Sequence, residues 1–194
     1  MMKMHSAKRP DAFSMVELMV VIAIMVILAG LLIASLPGIQ ARINRGKVET
    51  FLAELEAGLS RYQLDHGIYP LNQPTGDRDI SGLNGAAILY QHLSGDFNLD
   101  GEVDFQTNEK VYVERLDFFS NRDAKEKRSD NVGGQFMVID SFGDPVRYLA
   151  QPPNLPRGQV RLTRSPTYDL WSIAGKDPRA PNAESAFITN WGSN

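Results

Sequence analysis

The sequence has no cysteine. No disulfide can staple any part of it, so a folded domain must rest on its apolar core or on a bound ion. Histidine is nearly as scarce, with only His5, His66 and His92. No two of them stand at the spacing of a metal-binding pair on a helix. There is no Gly-x-Ser-x-Gly elbow and no phosphate-binding glycine loop. These absences remove the common hydrolase, metalloprotease and nucleotide-binding readings and leave a structural or binding protein, not an enzyme. A basic excess is also missing. Acidic side chains outnumber basic ones by 23 to 20, and three of the basic ones (Lys3, Lys8 and Arg9) fall in the first twelve residues. That balance argues against a nucleic-acid partner.

One long apolar run dominates what is present. Leu18 to Leu36 carries no charge. At about 1.5 Å per residue it spans roughly 28 Å as a helix, close to the hydrocarbon core of a bilayer. It is too long for the apolar region of a cleaved secretory signal, and its Ala-Ser-Leu-Pro-Gly end is a poor cleavage site. A plain signal anchor fits the length and the basic leader. It leaves Glu17 unexplained, because an acid at the end of a membrane helix is costly and usually has a partner.

The run Phe13-Ser-Met-Val-Glu17-Leu-Met-Val-Val-Ile-Ala-Ile resembles the signature of type IV pilins and type II secretion pseudopilins. The resemblance implies a leader, residues 1–12, cut between Ala12 and Phe13 by a prepilin peptidase. It implies methylation of the new amino group on Phe13. It also implies that Glu17, fifth in the mature chain, meets the Phe13 ammonium of a neighbouring subunit. Between apolar helices such a pair is strongly favoured over either charge alone. Glu17 then sets register and does no catalysis. Ala12 stands where the family has Gly.

Beyond Pro37 and Gly38, Val48, Phe51, Leu52, Leu55, Leu59 and Tyr62 recur at spacings of three and four. Glu49, Glu54, Glu56 and Arg61 take the other sides. This is an amphipathic helix with one face for a core. The pattern and the resemblance together predict a pilin-like α+β fold. In it, residues 13–36 form the membrane or filament-core half of a long helix, 37–66 its amphipathic half, and 67–194 a globular head. A proline in such a helix either bends it or ends it. Gly67 and Pro70 stop it. Gly85–Leu93 reads as a short helix. Lys110–Phe119, Gln135–Asp140, Asp144–Ala150, Gln159–Arg164 and Tyr168–Ala174 read as strands, with Arg122–Gly134 as a charged loop. An antiparallel sheet of three to five strands is expected to pack on the long helix.

Tyr69-Pro70, the turn Phe142-Gly-Asp144-Pro145-Val-Arg-Tyr148 and the ending from Tyr168 to Trp191 resemble the major pseudopilin of type II secretion. That family binds calcium in its C-terminal loop. Here the loop offers two carboxylates, Asp177 and Glu184, as candidate ligands. A second loop follows the spacing of a calcium loop more closely. Asp96, Asn98 and Asp100 occupy positions 1, 3 and 5, Gly101 position 6, Glu102 position 7 and Asp104 position 9. Alternate oxygen donors can converge on one hard cation while the glycine allows the sharp turn. Thr107 takes position 12, where a bidentate acid is usual. The bland alternative is a solvated Asp/Asn/Gly turn.

The resemblance implies a pseudopilus subunit that waits as a single-pass protein in a bacterial inner membrane with its head in the periplasm. Its partners would be copies of itself in a helical filament, minor pseudopilins, the prepilin peptidase, an inner-membrane platform with its ATPase, and membrane lipid. A type IV pilin of a surface fibre is the alternative within the class. A membrane-anchored periplasmic domain that binds calcium or adheres, keeping residues 1–12, is the alternative outside it.

Overall fold

The computed structural model describes residues 14–72, 81–101, 103 and 110–192. Helix α1 runs over Met15–His66. The chain divides within it into two units, Met1–Arg42 and Ile43–Asn194.

In the first unit α1 is long and apolar enough to cross a membrane, and the apolar window is uncovered on every side. A helix that is apolar all round needs an apolar surrounding, since no single face can be hidden. Pro37 and Gly38 lie inside α1, so the helix does not end there. Proline forfeits one backbone bond, and helical turns on both sides carry the chain across that loss.

In the second unit the predicted face of α1 is the core. Val48, Phe51, Leu52, Leu55 and Leu59 are buried. They meet Leu89, Tyr90 and Leu93 of α2 (Leu83–Leu93) and side chains of the sheets. Two glycines allow close approach. A Cβ at Gly58 would lie 2.4 Å from Val113 Cγ2, and one at Gly85 would lie 2.4 Å from the Tyr148 carbonyl oxygen.

The strands form two antiparallel sheets. β1 (Ser129–Val132) and β2 (Gln135–Val138) make a hairpin with Val132 opposite Gln135. Its turn is Gly133-Gly134, both at positive φ, as a two-residue hairpin turn requires. β3 (Arg147–Ala150), β4 (Tyr168–Ser172) and β5 (Ile188–Thr189) form the second sheet in that order. A bridge from Ile139 to Pro145 joins the neighbourhoods of the two sheets. Tyr148, Ala150, Tyr168 and Leu170 point into the core shared with α1 and α2. β3 is an edge strand, and the buried Asn72 side chain occupies its outer edge. Asn72 Nδ2 donates to the Tyr148 carbonyl (2.8 Å), and its Oδ1 accepts from the Ala150 N–H (2.7 Å).

Three segments differ from the sequence expectation. Lys110–Phe119 is not a strand. The N–H groups of Tyr112 and Val113 both bond the Leu93 carbonyl at the end of α2. A 3-10 turn at Glu114–Leu116 and α3 (Phe118–Asn121) follow. Burial there falls on 112, 113 and 116, which is not the alternation of a strand. Gln159–Arg164 is also not a strand. Side chains replace the ladder: Gln151 Oε1 takes the Leu162 N–H at 2.6 Å, and Arg161 Nη2 donates to the Pro153 carbonyl at 3.0 Å. Finally, Arg122–Gly134 is not all loop, because it contains β1.

Candidate functional site

The N-terminal turn of α1 is the first candidate. The Ser14 N–H donates to Glu17 Oε2 at 2.9 Å, and the Glu17 N–H donates to Ser14 Oγ at 3.2 Å. This reciprocal pair is a capping box: it satisfies two backbone donors that a helix start leaves open. It also sets a carboxylate at the positive end of the helix dipole. Glu17 therefore has a task within its own chain as well as any task between chains. Ser-x-x-Glu before an apolar run is a readable signal for this arrangement, with Ser14 as the residue that completes it. Ala12 and Phe13 lie outside the described residues.

In the head, the loop after α2 gathers part of the predicted calcium set. Asp96 is buried, and its Oδ2 accepts from Tyr90 Oη (3.1 Å) and from the Gly101 N–H (2.8 Å). Burial pushes the Asp96 carboxyl above its usual range. Asn98 Nδ2 donates to Asp100 Oδ2 at 2.9 Å, and the Asp100 N–H donates to Asn98 Oδ1 at 3.0 Å. Glu102 and Asp104 lie outside the described residues. The C-terminal pair is placed differently. Asp177 Oδ1 accepts from the Arg179 N–H at 2.9 Å, and Glu184 pairs with Arg164. Among the described residues no three His, Asp or Glu side chains form a metal-binding group.

A cleft of about 710 Å³ lies where α1 ends against α2 and the segment after Lys110. Tyr62, His66, His92, Phe97 and Tyr112 line it. His66 stacks on Tyr62 at 4.1 Å, and its Nε2 lies 3.1 Å from Tyr112 Oη. Tyr112 Oη donates to Asp65, which Lys110 also engages. These two hydrogen bonds hold the Asp65 carboxyl below its usual range. Burial, and then the nearby His66, push the His92 imidazole down. The network ties the end of α1 to α2 and presents no activated nucleophile.

Comparison with known proteins agrees with the helix start. Residues 8–33 match the prokaryotic N-terminal methylation motif. The type II secretion system core protein G of Klebsiella pneumoniae is 38% identical over 66 residues, 34% of this chain and 47% of that protein. The protein of the same name from Escherichia coli strain K12 is 29% identical over 52% of this chain and 66% of its own length. The type IV major pilin PilE1 of Neisseria gonorrhoeae is 28% identical over 68% of this chain and 65% of its own. The chain spans about half the length of the first core proteins G that it matches. No solved structure matches. The motif and the long helix before small antiparallel sheets give the chain a pilin-like α+β fold. Within that class its relatives are named as core proteins G of type II secretion and as a type IV pilin.

Proposed function

We propose that this protein is a structural subunit of a type II secretion pseudopilus, assembled from the inner membrane to help drive protein export. The observation that carries the reading is an uncovered, membrane-length apolar helix with Glu17 in its first turn, inside the methylation motif. A helix bare on all sides suits a bilayer before assembly and a bundle of like helices after it. In this reading a prepilin peptidase cuts between Ala12 and Phe13 and the Phe13 amino group is methylated. The subunit then joins copies of itself and minor pseudopilins through the inner-membrane platform and its ATPase. Its head stands in the periplasm, and its role is mechanical, not enzymatic. The longer match to the gonococcal pilin supports a second reading, a pilin of a surface fibre.

The test has two parts. Intact mass and N-terminal sequence of protein from its native membranes should show a chain starting at Phe13 with one methyl. A deletion strain should retain secreted proteins in the periplasm. Loss of surface fibres with normal secretion would favour the pilin reading. A chain that keeps residues 1–12 in mature membranes would overturn both.

A further inference from the structure

The geometry points to a calcium site in the loop that begins at Asp96, with Asp96 Oδ1, Asn98 and Asp100 as its described ligands. Nothing in the pilin-like reading requires this site, and it stands or falls separately.

The first observation is a buried oxygen. Asp96 is 1% exposed, and its Oδ1 has no hydrogen-bond partner. A carboxylate oxygen shut away from water without a donor is costly, and native folds rarely leave one so. Oδ2 of the same carboxylate accepts the Gly101 N–H, five residues on. That bond curls the loop back from Gly101 onto the Asp96 carboxylate. A cation held within the curl would supply the missing partner.

The second observation is the donor set. Asn98 and Asp100 join side chains, so both oxygen-bearing groups lie together. The Asn98 oxygen that takes the Asp100 N–H keeps a second lone pair. All these donors are hard oxygens. Carboxylate and amide oxygens on a loop suit calcium, which takes six to eight oxygens, better than magnesium, which needs a near-ideal octahedron.

The third observation is the turn. Gly101 has φ 93°, and a Cβ there would lie 2.4 Å from Phe119 Cε2 and 2.9 Å from Phe136 Cζ. The loop is thus pressed onto the aromatic core at the one position where only glycine serves. Leu99 also takes positive φ, at 63°, a conformation that non-glycine residues rarely adopt.

Tyr90 provides a probe of place. Its hydroxyl is 3.1 Å from Asp96 Oδ2, so a terbium ion in the loop would be excited through that ring. The full-length chain in detergent is titrated with terbium and then with calcium. The expected result is saturable, tyrosine-sensitised emission that calcium displaces. Asp100→Ala, at an exposed position, should weaken binding by about tenfold or more. Asp96→Asn should do the same. Tyr90→Phe should cut the emission while calcium binding by calorimetry persists. Asp177→Ala, in the other acidic loop, should change nothing. Absence of saturable calcium binding would overturn the site. So would binding that survives Asp100→Ala unchanged, or binding lost in Asp177→Ala.

Discussion

Ser14 and Glu17 cap each other across the first turn of α1, with each side chain taking the backbone N–H of the other residue. Two tasks therefore meet in Glu17, the helix start and the proposed charge pair with a neighbouring Phe13. Glutamine serves a capping box as well as glutamate does. Glu17→Gln should keep the helix start and lose filament assembly, because only the charge is gone. Ser14→Ala should cost about 1 kcal/mol at the helix end and still assemble. Cross-linking of subunits in membranes reads both variants. Normal assembly of Glu17→Gln would leave Glu17 as a cap alone.

Gly58 and Gly85 both sit at close approaches but should answer alanine differently. At Gly58 the new Cβ meets the tip of a side chain, Val113 Cγ2, at 2.4 Å. At Gly85 it meets backbone, the Tyr148 oxygen at 2.4 Å and nitrogen at 2.6 Å. A side chain can turn aside and a strand cannot. Overpacking typically costs about 1–3 kcal/mol, so Gly58→Ala should fall near the bottom of that range and Gly85→Ala at or above its top. Denaturant unfolding of the two variants gives the comparison.

Asn72→Ala removes both bonds on the outer edge of β3 at once. The Tyr148 carbonyl and the Ala150 N–H are then buried without partners, at about 1–3 kcal/mol each. The head should unfold at clearly lower denaturant than the wild type. Asn72→Asp, which keeps the acceptor and loses the donor, should not restore it.

His92 predicts a pH effect of known sign. Its folded value is pushed below the ordinary 6.5, so the unfolded chain binds the proton more readily. The head should lose stability as pH falls below about 6.5, until the folded ring is also protonated. Glu56 and Asp144, whose carboxyls burial pushes up, act in the opposite sense. The readout is therefore a difference between proteins. His92→Gln should flatten the acid side of the profile of melting temperature against pH. An unchanged slope would remove His92 from the account.

Much of this fold could be read from residue patterns. The three-and-four spacing from Val48 to Leu59 gave the buried face of α1, and Gly67 gave its stop. Strands β2, β3 and β4 fell inside runs of apolar and aromatic residues. Failures came where side chains did the work of backbone. Gln151 and Arg161 hold 159–164 in a shape that imitates a strand in composition, and Leu93 takes two N–H groups from 112–113. Such long-range bonds leave no local period. The Gly133-Gly134 turn was a local signal that the charge around it obscured. At the helix start Glu17 stood out for its charge, whereas Ser14 drew no notice because a serine before a helix is ordinary. Asp96 was legible as a carboxylate at position 1 of a loop. Its burial was not, since that depends on Tyr90 and the packing of Gly101.

The side chain of Asn72 also bears on how such a chain avoids sticking to itself in the wrong way. The outer edge of β3 is a ready template for a strand from another molecule, the usual route to disordered aggregates. Asn72 imitates that strand with one amide and leaves no opening there. A molecule proposed to polymerise at high local concentration needs one mode of self-association to outrun every other. With this edge plugged, one competing route is closed, and the order of the proposed fibre depends in part on an asparagine buried inside the head.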